Sequence, residues 1–214
     1  MSDREKLIIL GTRVFAEEVA DLVADGAEHE LVAFGENWDR SRCSSLLGLP
    51  VIWVDDLGPL AATHVAVCAI GTTHRSAFVR QVEAMAFRFA TVRHPTARVS
   101  RTSTVGPGSI LSAGVIVAAH TTIGAHVIVN RGSLIGHHTA IGDCVTISPG
   151  ANIAGRITIG DGTYVGMGAI ILDSLKIGRG SVIGAGSLVT KDVPDHVQVM
   201  GVPARITKEG VEGR

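Results

Sequence analysis

Residues 130–142, NRGSLIGHHTAIG, carry two adjacent histidines, His137 and His138, and Gly155 follows His137 by eighteen positions. An imidazole accepts a proton near neutral pH and so serves as a general base. A glycine offers its backbone N–H with no side chain beside it, and such an amide can hold the oxyanion of a tetrahedral intermediate. Acyl transfer needs both. A histidine at this position is equally an ordinary polar corner residue, and the spacing by itself leaves both readings open.

The interval of eighteen acquires meaning from the elements around it. From Val99 to Val189 every sixth residue is Val, Ile or Leu, through sixteen hexads without an insertion. Half of the positions that follow these aliphatics are Gly (106, 124, 136, 142, 160, 166, 178 and 184). A period of six matches neither a helix nor an alternating strand; it matches a hexapeptide-repeat β-helix. Three hexads close one triangular coil, so residues eighteen apart stack at the inter-strand spacing of about 4.8 Å. That register sets Ala119 and Gly155 on either side of His137, and Met167 beside Ala185. The glycines are expected at tight corners, where a positive φ costs them little. After Val189 the segment TKDVPDHVQVMGVPARITKEG loses the register and is expected to cap the open end of the coil.

The first part of the chain has a different grammar. Short apolar runs at 7–10, 31–34, 51–54, 65–70 and 89–92 read as strands, with helices at 15–23 and 74–85, a pattern that implies a Rossmann-like parallel α/β sheet covered on both faces. The expected organisation is a Rossmann-like domain over 1–95, a β-helix over 96–194 and a capping tail over 195–214. Gly11, Thr12 and Arg13 lie between the first strand and helix, where phosphates often meet a helix N-terminus. Only the first glycine of GxGxxG is present, which disfavours a dinucleotide.

Composition narrows the partners. The 214 residues carry 19 Lys and Arg against 20 Asp and Glu, a net charge of −1, with no basic run longer than two, so nucleic acid is not an expected partner. Cys43, Cys68 and Cys144 are odd in number and widely spaced, which points to a reducing compartment. The start MSDREKLIILGTR has too short an apolar run for a secretion signal, and no stretch approaches a membrane span, so a cytoplasmic location is expected. Trp38, Trp53 and Tyr164 are too few for an aromatic platform that would bind carbohydrate polymers or single strands.

The runs LIGHHTAIGDCVTISPGANIAGRITIGDGTYVGMGAIIL, VIGAGSLVTKDV and VMGVPAR resemble the bacterial sugar acyltransferases of the hexapeptide-repeat class. More narrowly, the chain is similar to the sialic-acid O-acetyltransferase and nucleotide-amino-sugar N-acetyltransferase (NeuD/PglD-like) family, over essentially its whole length. The resemblance implies a left-handed β-helix and a homotrimer, with acetyl-CoA between neighbouring subunits, a nucleotide-sugar substrate and no metal. It assigns the base to His137, the oxyanion amide to Gly155, a sugar contact to Asn130, and the CoA groove to Met167 and Ala185 alongside Gly155. Some relatives carry a histidine near the thioester where this chain has Thr146. Relatives commonly carry an acidic residue directly after the base, to orient it; here that residue is His138, which is placed among the substrate contacts. Water, a backbone carbonyl or Asp143 is then left to orient His137. In the α/β domain the family's nucleotide site corresponds to Gly11, Thr12 and Arg13, to Glu36 and Asn37 near the base or ribose, and to Gly71 and Thr72 in a later turn at the same sheet end.

The expected activity is acetyl-CoA-dependent N-acetylation of a nucleotide-linked 4-amino-deoxysugar. Two alternatives stand beside it. One is O-acetylation of the sialic-acid type. The other is a zinc hydratase of the gamma carbonic anhydrase type, because His120 and His138 are eighteen apart and His126 would complete three nitrogen ligands.

Overall fold

The protein is described by a computed structural model over residues 4–214. Strand β1 (Glu5–Leu10) is central in a six-stranded sheet and is followed by helix α1 (Val14–Asp25) and strand β2 (His29–Glu36). Next come the hairpin strands β3 (Ser45–Leu46) and β4 (Leu49–Trp53), then β5 (Val65–Cys68), helix α2 (Ser76–Glu83) and β6 (Arg88–Phe89). The strand order is β3-β4-β2-β1-β5-β6, parallel except for the β3–β4 hairpin. Leu7, Ile8, Ile9 and Leu10 are all fully buried, as a parallel strand covered on both faces requires. The chain leaves β1 toward β2 and later returns to pair β5 on the opposite side. The strand order therefore reverses at β1, and the turns at Gly11 and Gly71 flank that crevice.

The run expected as one strand over 89–92 is two. Arg88–Phe89 pairs with β5, whereas Val92–Arg93 pairs with Ile110–Leu111 as the first rung of the second unit. Two residues make the crossing: the Ala90 N–H donates to Ala66 O at 2.9 Å and the Val92 N–H to Ser109 O at 2.9 Å. The repeating unit thus begins at Val92, ahead of position 96, and no linker separates it from the α/β sheet.

That unit is a left-handed parallel β-helix, a triangular prism of two-residue rungs paired at intervals of eighteen. Its aliphatic sixth residues point inward and form one continuous core from Leu111 to Val189. Each fully buried Val or Ile contributes about 1.5–3 kcal/mol, so the repeat itself is the source of stability. Of the three faces, one carries Ile110, Ile128, Thr146, Tyr164 and Val182 outward and is docked against the α/β domain. A second carries Ile116, Leu134, Asn152, Ile170 and Leu188, and the third Thr104, Thr122, Ala140, Thr158 and Lys176. Ile110 and Ile128 are fully buried in the same cluster as Val19, Phe34 and Val67, so the α/β core extends onto the outer side of the docked face, apart from the core inside the prism.

The glycines serve a purpose other than the one expected. Positive φ falls elsewhere, three positions after the inward aliphatic residue, at Gly108 and Gly132 but also at His120, His126, His138, Cys144 and Arg156. Gly136 stands directly after its aliphatic residue because a Cβ there would come within 2.5 Å of Gly155 N on the next coil. Close approach of coils, not turn conformation, selects these glycines. The tail does more than cover the end: Val197–Gly201 pairs parallel to Val182–Ile183, and Ala204–Glu209 folds back antiparallel to end the sheet. No helix among the described residues is long and apolar enough to cross a membrane.

Candidate active site

The prism sorts the expected residues onto different edges. His137, His138 and Gly155 lie on the edge between the second and third faces. Asn130, Met167 and Ala185 lie on the edge between the docked and second faces, so within one chain the second face separates the two groups. Asp143 lies on the remaining edge, where its Oδ1 accepts the Ala125 N–H at 2.7 Å; it does not orient His137.

At the His137 edge the stacking is close. A Cβ on Gly155 would come within 2.8 Å of His137 Cε1 and 2.9 Å of Nε2, so the imidazole rests directly over this α-carbon and only glycine leaves it room. The Gly155 N–H has no hydrogen-bond partner among the described residues, and His137 is solvent-exposed. A proton acceptor and a free amide therefore stand together at the surface. His137 Nδ1 lies 3.0 Å from His138 Nδ1, and the two rings meet edge-on at 5.2 Å between centroids. His120 lies 4.8 Å from His138 in the coil before. The third member of the zinc set is elsewhere: His126 is on the edge of Asp143, buried, with Nε2 3.4 Å from Glu83 Oε1. Burial holds the His126 pKa below its usual value against the opposing effect of Glu83. Within one chain the three histidines do not converge, and no group of three metal-binding side chains occurs among the described residues.

Of the CoA-groove positions, Met167 is 61% exposed and Ala185 is exposed beside it. Asn130 is nearly buried, and its Nδ2 donates to Ile147 O at 3.1 Å. Thr146 departs from expectation. It faces the α/β domain, is 2% exposed, accepts from Arg75 Nη1 at 2.7 Å and donates to Gly71 O at 3.2 Å. A side chain enclosed between the two units cannot line a groove for a thioester.

In the α/β domain, Gly11, Thr12, Arg13, Glu36, Asn37, Gly71 and Thr72 gather at the C-terminal ends of β1, β2 and β5. Gly11 has φ +116° and packs against Ala69 O and Ile70, so it needs both its backbone freedom and its small size. Arg13 is exposed at the start of α1, whose first turn has no side-chain cap. Arg42, which the sequence reading passed over, reaches the same turn and donates from Nη2 to Thr12 O at 3.1 Å.

Glu36 corrects the assignment of a ribose contact. Its carboxylate is buried and accepts the Thr12 hydroxyl together with the N–H groups of Trp38 at 2.7 Å, Asn37 at 2.9 Å and Asp39 at 3.3 Å. Its oxygens are occupied in shaping the loop after β2. Burial acts to raise its pKa, but the Thr12 hydroxyl and the three amides outweigh it and hold the carboxyl below its ordinary value. A lowered folded value means stabilisation that is present above the unfolded carboxylate range and disappears as pH falls through the folded value. Glu36→Gln is expected to cost about 1–2 kcal/mol at neutral pH. In denaturant titrations the gap between the two proteins should close in acid; a gap that is constant with pH would remove the charge-based account.

A prism of hexads joined to a Rossmann-like sheet, with histidine over glycine at an outer edge, defines the hexapeptide-repeat acyltransferase class. The family model described as bacterial transferase hexapeptide (six repeats) matches residues 156–191. By sequence, none of the curated proteins matches. Among solved structures, WeeI from Acinetobacter baumannii is 31% identical, with TM-score 0.84 over 94% of this chain and 98% of that one. PerB from Caulobacter crescentus, in complex with CoA and GDP-perosamine, is 28% identical, with TM-score 0.87 over 95% and 97%. The acetyltransferase domain of PglB from Neisseria gonorrhoeae, in complex with acetyl coenzyme A, is 29% identical, with TM-score 0.86 over 95% and 99%. The chain belongs to the hexapeptide-repeat bacterial sugar acyltransferases of the NeuD/PglD-like family.

Proposed function

We propose that the protein moves an acetyl group from acetyl-CoA to the amine of a nucleotide-linked 4-amino-deoxysugar in the cytoplasm. The observation that carries this reading is the His137 imidazole stacked over the Gly155 amide, which has no partner among the described residues, in a chain that aligns over 95% of its length with PerB, a protein holding CoA and GDP-perosamine. The sugar nitrogen attacks the thioester carbonyl directly. A C–N bond forms, His137 Nε2 takes the amine proton, and the Gly155 N–H supports the oxyanion until the C–S bond breaks. The CoA thiolate is a competent leaving group, so no covalent enzyme intermediate is required.

The separation of the edges supports a site shared between copies. The second face presents Ile116, Leu134 and Ile170 at 45%, 40% and 44% exposure, a mostly apolar stripe interrupted by Asn152 and flanked by the His137 edge on one side and by Asn130 and Met167 on the other. Packing that stripe around a three-fold axis brings the His137 edge of one copy against the Met167 edge of its neighbour. The neighbour's docked α/β domain then presents its crevice at Gly11 and Gly71 toward the same groove, where the nucleotide is held while the sugar reaches His137.

The test is thiol release from acetyl-CoA against a panel of UDP-, GDP- and CMP-linked sugars with an amine or a hydroxyl at C4. Turnover with an amino sugar, by a protein sedimenting as a trimer, is the expected result. Release only with hydroxyl acceptors would move the reading to O-acetylation. Full turnover by a monomer would remove the shared site.

A further inference from the structure

The position that orients the base in this family is filled here by a second imidazole, and the structure shows where it points. His137 Nδ1 and His138 Nδ1 are 3.0 Å apart, so one carries the proton and the other accepts it. We propose that His138 is the positioning residue of the site, accepting the Nδ1–H of His137 at its own Nδ1 and so reserving the Nε2 lone pair of His137 for the substrate amine. The inference rests on His137 being the base.

Two observations support this arrangement. The His137 ring lies flat over Gly155, with Nε2 at 2.9 Å and Nδ1 at 3.2 Å from the place of a Gly155 Cβ, and since Nδ1 is engaged by His138 it is Nε2 that is left open for the substrate amine. His138 is held for its task from behind by the His120 ring at 4.8 Å. Both His120 and His138 sit at φ +56°, a left-handed conformation that costs a non-glycine residue about 1–2 kcal/mol. The same left-handed corner recurs at His126, Cys144, Arg156 and Ser174, so this backbone conformation belongs to the coil and is not special to His138.

A neutral imidazole orients the base without the charge a carboxylate would add. In the stacked coils the charged and titratable neighbours are His120 before His138 and Arg156 after it, with Arg101, Asp173 and Lys191 on the His137 column. The Arg156 guanidinium is turned away, donating to Asp173 at 3.2 Å and to Ser174 at 3.0 Å. No carboxylate is paired with His137 or His138 among the described residues. A carboxylate at position 138 would favour the protonated form and withdraw the base at higher pH.

Three variants test this, all with residues that tolerate a left-handed backbone: His138→Gly, His138→Asp and His138→Asn. His138→Gly is expected to lower kcat by about 10–10²-fold with both KM values unchanged, the usual size of a misplaced catalytic group. His138→Asp should restore most of kcat and move the acid limb of the kcat–pH profile to higher pH, while His138→Asn restores rate without moving the limb. Independently of activity, nitrogen NMR of the His137 ring should show a protonated Nδ1 in the parent protein and mixed tautomers in His138→Gly. The idea is overturned by wild-type kcat in His138→Gly, by a raised sugar KM at unchanged kcat, which marks a substrate contact, or by an unaltered His137 tautomer. If His137→Ala retains turnover, the base assignment falls, while the NMR measurement still decides what His138 does.

Discussion

Replacement of His137 by Ala or Asn is expected to lower kcat by about 10²–10⁴-fold while acetyl-CoA binds with unchanged affinity. The size follows from what the imidazole supplies. A proton must leave the attacking sugar amine as the C–N bond forms, and in the proposed mechanism the exposed His137 accepts it beside the Gly155 amide. Asparagine preserves a polar side chain of similar reach but cannot accept that proton, so it separates proton transfer from simple contact. The substitution leaves Met167 and Ala185, the proposed groove positions, untouched, so CoA affinity should survive. The residual rate would come from the Gly155 amide and from holding the two substrates together. Calorimetry for CoA and steady-state kinetics on the same preparation give both readouts. Turnover within a few-fold of the parent protein would remove His137 from the chemistry.

The contrast with Gly155→Ala sharpens the argument. A methyl group there would meet the His137 ring at 2.8 Å, so the two residues are coupled by contact as well as by function. Their effects on kcat should therefore not add.

How this pairing came to be legible in sequence is a matter of register. An uninterrupted period of six fixes which residues are neighbours across coils, so His137 over Gly155 and Met167 beside Ala185 follow from arithmetic on the chain. The α/β strands were readable because β1 and β5 are continuous apolar runs, the pattern of buried parallel strands. What register cannot carry is direction across a surface. It places Thr146 by its number but does not show that the α/β domain covers that face, nor that Glu36 spends its carboxylate on its own loop. It also gave the glycines a turn-forming role, whereas the structure shows that they make room for the adjoining coil. The His137–His138 contact was out of reach because it depends on rotamers, to which a periodic pattern is blind.

The residue with no sequence signal at all is Arg75, and its removal should produce the largest loss of stability. It lies in the turn after β5, is 1% exposed, and places its guanidinium between the two units. Nε donates to His126 O at 2.9 Å, and Nη2 to His126 O at 2.7 Å and to Val145 O at 2.8 Å. Nη1 donates to Thr72 O at 2.8 Å and to the Thr146 hydroxyl at 2.7 Å. Among the described residues no carboxylate pairs with it, so its charge is solvated by carbonyl dipoles and the Thr146 hydroxyl. Burial lowers its pKa, yet a guanidinium keeps its proton in such a setting. Arg75→Met fills much of the same space and removes every donor. The Val145 carbonyl still accepts from Ile128, but the His126 carbonyl is left buried with nothing to replace both lost bonds. The expected cost is about 2–4 kcal/mol, from the buried His126 carbonyl left unpaired and the lost bonds to a charged donor, or roughly a 4–16 °C fall in Tm for a chain of this size. Because these bonds tie the Gly71–Thr72 turn to the prism, the sugar KM should rise while the acetyl-CoA KM holds. Arg75→Lys, with a single ammonium unable to span the carbonyls, should fall between. An Arg75→Met protein with unchanged Tm would show that the apolar contacts of Ile110 and Ile128 hold the two units together without it.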